Sequence, residues 1–268
     1  MARSQVTILG CGSSPGVPRI GNDWGKCDPN NPKNRRRRCS ILVQRFDDRD
    51  NVTNVLVDTS PDMRDQVLDA DIRTLDGVLY THAHADHIHG IDDLRAFWIN
   101  SGERVDIYAD EVTLERLHEA FGYCFTAPES SFYPPILQAH PIHPREPVEI
   151  EGAGGALLCQ PFTQRHGSIH TLGFRFGGLA YSPDVSDLDA AAVETLRDLD
   201  IWIVDALRDR PHPSHFSLEQ ALGWIDRLKP KRAILTHMHI DLDYETLRAQ
   251  LPAHVEPAYD GMVIEFNG

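Results

Sequence analysis

The chain has 268 residues, 41% of them hydrophobic and 25% charged, a balance that excludes a disordered or fibrous protein. Its formal net charge is −14, and a field of that sign repels nucleic acid and anionic membranes at long range. No apolar run of the sequence approaches the roughly 20 residues that span a bilayer. We therefore expect neither a long nucleic acid nor a membrane as a partner.

The cysteines predict a reducing compartment. They are five in number, which is odd, and none of them forms a C-x-x-C pair. That pattern argues against a disulfide framework and against a thiolate zinc ribbon. The apolar run at residues 6–9 is too short for the hydrophobic part of a signal peptide. We expect a cytoplasmic protein.

Apolar patterning predicts early strands followed by alternating helices and strands. The first half has predicted strands at 6–9, 40–43, 54–57 and 77–80, a helix from 86 to 99, and a strand at 105–108. The second half has predicted strands at 157–162, 171–176, 179–182, 201–204 and 233–235, and helices at 188–199, 217–228 and 244–251. This order predicts an α/β protein in which sheets are layered between helices.

We expect one domain over residues 1–268 with an insertion around 123–147. Six prolines and several aromatic residues set that segment apart from the pattern around it. It is typical of an irregular surface connection, and a lid or a contact between two copies of the chain are the alternatives. A homodimer is thus one possible assembly.

One basic run stands out in this acidic chain. Residues 33–38 contain a lysine and four arginines. They form either a solvated loop that offsets nearby acid or part of an anion site, with one arginine pointing at the active site.

The most informative stretch lies between residues 81 and 90. It contains His82, His84, Asp86 and His87. His82 and His84 are two apart, so in an extended segment they project to one side, and the other two follow at the predicted turn into a helix. Imidazole and carboxylate ligands without thiolate suit zinc, manganese or iron. Four ligands exceed what one open catalytic ion needs, so the stretch predicts two ions.

This stretch resembles the H-x-H-x-D-H signature of the metallo-β-lactamase superfamily. The resemblance implies a four-layer αββα sandwich with the metals at one edge, between the two sheets. It also implies three further ligands near strand ends, and the chain offers His166, Asp184 and His237 in the expected order. By position, one ion would take His82, His84 and His166, the other Asp86, His87 and His237, with Asp184 between them.

Further features resemble the phosphoribosyl cyclic phosphodiesterase branch of that superfamily, from the carbon–phosphorus lyase pathway. They are the glycine loop at 9–18, the arginine run and residues 212–217. The resemblance implies that His215 assists catalysis beside Asp86, and that Asp58 steadies the metal ligands. In the alternative interpretation, His215 only helps to cap the helix that begins near residue 217.

One departure from the branch concerns a structural zinc. Relatives hold that ion with several cysteines after the first glycine loop, whereas this chain has only Cys27 there. Asn22 and Trp24 stand where thiolates would be expected. We predict that this zinc is missing.

The resemblance implies a hydrolase that cleaves a small, cyclic phosphodiester with a hydroxide generated between two zinc or manganese ions. Two other functions share the ligand set. A tRNA 3′-processing endoribonuclease would carry a basic arm, for which only residues 33–38 qualify. A thioester or lactam hydrolase is the other, although zinc β-lactamases are exported and many have a cysteine where Asp184 stands.

Overall fold

Two seven-stranded β-sheets lie face to face in residues 3–128 and 131–268, which the computed structural model describes. The early strands are β1 (Arg3–Gly10), β2 (Ser40–Phe46), β3 (Val52–Val57), β4 (Gly77–Leu79), β5 (Val105–Ala109) and β6 (Leu137–Pro141). The later strands are β7 (Val148–Ile150), β8 (Leu157–His166), β9 (Ile169–Phe176), β10 (Leu179–Ser182), β11 (Ile201–Asp205), β12 (Arg232–Thr236), β13 (Val255–Pro257) and β14 (Met262–Phe266). The first sheet has the order β14-β1-β2-β3-β4-β5-β6, and the second has the order β13-β12-β11-β10-β9-β8-β7.

Short helices connect the strands. They are α1 (Met63–Asp69), α2 (Ala85–Ile88), α3 (Arg95–Ser101), α4 (Glu111–Phe121), α5 (Ala190–Thr195), α6 (Leu218–Leu228) and α7 (Tyr244–Gln250). Single 3₁₀ turns lie at Pro32–Asn34, Ile91–Leu94 and Gly122–Cys124. The predicted start of α6 is correct, because Ser217 and Gln220 form a reciprocal capping box there.

The central strands β2, β3 and β4 of the first sheet are almost entirely buried on both faces, which explains their apolar residues. Ile41 and Val43 of β2 belong to the core between the sheets, while Leu42 packs with the residues of α1 to α4 on the other face. Residues of α5, α6 and α7 pack with the second sheet. The predicted α/β sandwich of two sheets flanked by helices is confirmed.

The sequence predicted one continuous helix from residue 86 to 99, and this prediction is wrong because the helix is interrupted. The chain forms α2, turns at Gly90, makes the 3₁₀ turn Ile91–Leu94 and only then enters α3. Gly90 donates its N–H to the carbonyl of Thr59 at 2.9 Å, and a Cβ added to it would lie 2.2 Å from the carbonyl oxygen of Ser60. This close approach ends α2 directly after the Asp86–His87 pair.

Replacing Gly90 with alanine is expected to destabilise the fold by about 2 kcal/mol or more, because backbone must move to admit the methyl group. Gly223 provides the control, since it lies in α6, where an added Cβ would meet no other part of the fold within 4 Å. Gly223→Ala should stabilise by about 0.5–1 kcal/mol. Urea unfolding of the two variants measures both changes, and equal effects would contradict this account of Gly90.

The segment 123–147 is only partly irregular. It contributes β6, which pairs in parallel with β5 at the edge of the first sheet. Residues 129 and 130 of the predicted insertion lie outside the described residues. Proline is tolerated at an edge because one side of the strand needs no ladder hydrogen bond, and β6 indeed ends at Pro141. Neither the lid nor the contact between copies is tested by this geometry, and both stay predictions, as does the single domain over 1–268.

None of the helices in the described part of the chain is both long and apolar enough to cross a lipid bilayer.

Candidate metal centre

The predicted ligands gather where strands of both sheets end. The stretch 82–87 follows β4 of the first sheet. In the second sheet His166 ends β8, Asp184 follows β10 and His237 follows β12. The strands β10, β11 and β12 are parallel, so their carboxyl ends meet at one edge. The topology therefore brings together residues that are far apart in the sequence.

A first group consists of His82, His84, His166 and Asp184, each with one nitrogen or oxygen within 4.8 Å of the others. The Nε2 atoms of His82 and His166 lie 3.8 Å and 3.7 Å from Oδ2 of Asp184. Nδ1 of His84 lies 2.9 Å from Nε2 of His82. These separations leave room for one ion with ligands at roughly 2.0–2.2 Å.

A second group consists of Asp86, His87 and His237. Nε2 of His87 is 3.5 Å from Oδ2 of Asp86, and Nε2 of His237 is 3.8 Å from the same oxygen. Both nitrogens also approach Oδ1 of Asp184, at 3.1 Å and 3.5 Å. Asp184 therefore directs one carboxylate oxygen to each group.

The donor atoms in this centre fit a divalent metal. Nε2 of His87, Nε2 of His237 and Oδ1 of Asp184 are buried, and none has a hydrogen-bond partner among the described residues. A buried polar atom without a partner costs about 1–3 kcal/mol, so three of them around one space indicate a ligand. Nitrogen and carboxylate donors without thiolate match zinc or manganese.

The pKa shifts of the histidines also favour a metal at this centre. Burial lowers the pKa of His82, and it lowers the pKa of His166 to about 4, so both rings present neutral nitrogens. Burial also lowers the pKa of His87, but the carboxylates around it, Asp184 foremost, outweigh burial and raise that pKa well above its ordinary value. A site that attracts a proton this strongly also attracts a cation.

Asp58 lies where it can orient the ligands. Its Oδ2 accepts a hydrogen bond from Nδ1 of His87 at 2.7 Å, and its Oδ1 accepts one from the backbone N–H of Thr81 at 2.8 Å. Nδ1 of His82 contacts the Thr81 hydroxyl at 2.9 Å. Asp58 thus holds the His87 ring directly and the His82 ring through the Thr81 hydroxyl, which donates to Oδ2 of Asp58 at 2.8 Å. Both rings turn Nε2 toward the centre, as ligating histidines do when a hydrogen bond fixes their other nitrogen.

Replacing Asp58 with asparagine is expected to weaken divalent-metal affinity by roughly 10–100-fold, because His87 loses its anionic partner. The matched control is Asp106→Asn, since Asp106 also pairs with a histidine, His140, at 2.6 Å, but belongs to none of the groups described here. Calorimetric zinc titration of the metal-free proteins measures the change. Equal affinities in the two variants would contradict the orienting role.

Asp205 is a site residue that the sequence analysis missed. It ends β11, is fully buried, and its Oδ2 accepts a hydrogen bond from Nδ1 of His215 at 2.7 Å. Nε2 of His215 consequently faces the centre, 3.9 Å from Oδ2 of Asp184. The only sequence signal was an aspartate at the end of an apolar strand. His215 does not act as the cap of α6, because Ser217 does.

Two residues of the centre have left-handed backbone. His237 has φ of 57° and Asp58 has φ of 65°. Residues with a side chain seldom adopt this conformation, and each such residue costs of order 1–3 kcal/mol. The surrounding fold holds both of them in place, which is typical of functional sites.

The basic run at 33–38 is largely occupied by internal contacts. Arg36 is buried and donates to the carbonyls of Leu242 at 2.7 Å and His239 at 3.3 Å, in the loop after His237. Arg37 pairs with Asp69, and Arg38 lies 3.0 Å from Asp62. The run is thus neither a fully solvated loop nor a free cationic surface.

Known proteins show what this fold and site are similar to. A family model described as a beta-lactamase superfamily domain matches residues 53–238, more than half of the chain. A solved structure described as a new diphosphatase from the PhnP family is 39% identical over 99% of this chain and 98% of that chain, with a TM-score of 0.88. The short form of human tRNase Z is 18% identical, with a TM-score of 0.66 over 97% of this chain and 98% of that chain, and shows the fold alone.

Curated proteins match over a smaller share of their length. A Porphyromonas gingivalis protein named octanoyltransferase is 33% identical over 260 residues, which is 95% of this chain and 50% of that protein. The chain therefore spans half the length of that relative.

The chain belongs to the metallo-β-lactamase superfamily, and the donor set at its centre suits a divalent metal. Within that superfamily it belongs to the PhnP branch, which confirms the branch that the sequence analysis expected.

Proposed function

We propose that the chain hydrolyses a small phosphodiester, with a cyclic phosphodiester as its preferred substrate, and that it does so with two divalent ions, zinc or manganese. The observation that carries the proposal is the position of Asp184, whose two oxygens face two separate groups of ligands. A carboxylate in that position suits a pair of ions, roughly 3.5–4 Å apart in known two-metal sites.

The ligand sets follow from the two groups. His82, His84 and His166 would hold one ion, Asp86, His87 and His237 the other, with Asp184 between them. Bound there, two ions lower the pKa of a water molecule toward about 7 and offset the charge on the phosphate. Asp86 would thus contribute to catalysis as a ligand of the second ion.

His215 would supply the proton that the leaving oxygen needs. Its Nε2 faces the centre, while Asp205 holds Nδ1 and thereby fixes the ring. A positioned acid of this kind contributes typically 10²–10⁴-fold to the rate.

The charge of the centre favours a small anion. Two divalent ions bring about four positive charges, against the two carboxylates Asp86 and Asp184. The ligand shell itself is thus positive, although Asp58 and Asp205 place two further carboxylates behind His87 and His215, and the whole chain has a net charge of −14. Attraction is therefore short-ranged, which suits a small phosphate ester better than a long nucleic acid.

A substrate panel tests the proposal. Protein stripped of metal and reloaded with zinc or manganese is offered a cyclic phosphodiester, a nitrophenyl phosphodiester, a diphosphate, a lactam, a thioester and an RNA with a tRNA 3′ trailer. The diphosphate is included because the PhnP-family relative is described as a diphosphatase. We expect the highest kcat/KM on the cyclic phosphodiester, and none without metal.

Each alternative function gives a different result in that panel. Preference for the lactam or the thioester would replace the proposal with acyl hydrolysis, and preference for the RNA would make the chain an endoribonuclease. Preference for the diphosphate would keep the two-ion chemistry and change the substrate. Elemental analysis giving one ion or fewer per chain would contradict the paired arrangement.

A further inference from the structure

A third group of potential ligands overlaps the two described above. Asp184, His215 and His237 each offer one atom within 4.8 Å of the others, and all three residues are buried. His215 and His237 stack with nearly parallel rings, 4.5 Å between centroids and 14° between planes. His215 thus lies within reach of an ion although neither ligand set includes it.

His215 has the features of a ligating histidine. Its Nδ1 is bound to the buried carboxylate of Asp205 at 2.7 Å, so Nε2 carries the available lone pair. That nitrogen lies 3.9 Å from Oδ2 of Asp184, Nε2 of His237 lies 3.5 Å from Oδ1, and one atom from each of the three residues lies within 4.8 Å of the other two. Ligands around one ion at roughly 2.0–2.2 Å are separated by comparable distances.

We infer that the second divalent ion has two alternative positions: one held by Asp86, His87 and His237, the other by Asp184, His215 and His237. This inference rests on the proposed two-ion centre. His237 is common to both positions, so the ion occupies one of them at a time. An ion at the position that includes His215 would bind Nε2 of that ring, the nitrogen that would otherwise deliver the proton. A chain in this arrangement holds two ions but has no general acid.

Loss of Asp86 weakens the position formed by Asp86, His87 and His237, and so tests the position formed by Asp184, His215 and His237. The full-length Asp86→Ala variant is stripped of metal, equilibrated with excess zinc, desalted and analysed for bound ions. We expect two ions per chain in the wild type and in Asp86→Ala, with weaker binding of the second ion in the variant. Adding His215→Ala should reduce the count to one.

The matched control adds His212→Ala to Asp86→Ala instead. The His212 ring lies 5.2 Å from that of His215 but belongs to none of the three groups, so this double variant should keep two ions. A second double variant combines Asp86→Ala with His215→Phe. Its phenyl ring can still stack on His237, so a lower ion count cannot be attributed to an empty space at position 215. Circular dichroism of the metal-free proteins checks that each one folds.

The ion counts separate this inference from the proposed function. One ion in Asp86→Ala, or equal counts with and without His215, would overturn the alternative position while leaving the two-ion centre intact. A wild type that binds one ion or fewer would overturn the two-ion centre itself, and the inference with it.

Discussion

Replacing Asp184 with alanine is expected to lower kcat/KM on a phosphodiester by at least about 10³-fold, since paired ions contribute several kcal/mol and each 1.36 kcal/mol is tenfold. Both ligand groups lose their shared carboxylate. Elemental analysis should show that the paired arrangement is lost. The metal-free variant should still fold, because apolar side chains of both sheets pack together to form the core between them.

The control for this experiment is Asp187→Ala. Asp187 lies three residues further along the chain, its side chain accepts a hydrogen bond from the N–H of Leu188, and it belongs to none of the ligand groups. It should keep its ions and its activity. Global unfolding of metal-free Asp184→Ala would show that the residue serves the fold, and an active variant with two ions would contradict the bridging role.

Replacing His215 with alanine should slow hydrolysis of an ester with a poor alkoxide leaving group by roughly 10²-fold or more. A nitrophenyl ester should be affected far less, because its leaving group needs little protonation. The ion count should stay at two, since Asp86, His87 and His237 remain. Rates on the two esters and elemental analysis measure these effects on the same preparation.

Two results would contradict the acid role. Equal losses on both esters would indicate that His215 serves the site in another way. Loss of an ion from the single variant would place His215 among the ligands of the normal arrangement, rather than in the alternative one.

The ligand types could be predicted from the sequence because His82, His84, Asp86 and His87 are neighbours in it. Their distant partner His237 could be found only through a family resemblance, because nothing local in its sequence indicates that β12 ends beside β4. The structure supplies that information by packing the two sheets together, so that the rings of His87 and His237 lie 6.3 Å apart.

Asp205 and the break at Gly90 could not be predicted for a different reason. Asp205 matters because the loop after β11 returns His215 to it, and no periodicity in the sequence reports that return. Gly90 ends α2 because the carbonyl of Ser60, on another loop, occupies the space of a side chain. Both are tertiary contacts, which override the local pattern.

The sharing of the centre between the two sheets links cation binding to folding. The stretch 82–87 comes from the first sheet, while His166, Asp184 and His237 come from the second, so the complete donor set exists only when the sheets are joined. By mass action, a ligand that binds only the native state at 100 times its Kd adds about 2.7 kcal/mol to the free energy of unfolding. We therefore expect the free energy of unfolding of this chain to rise with the concentration of free divalent cation. A chelator that removes the cation should lower it.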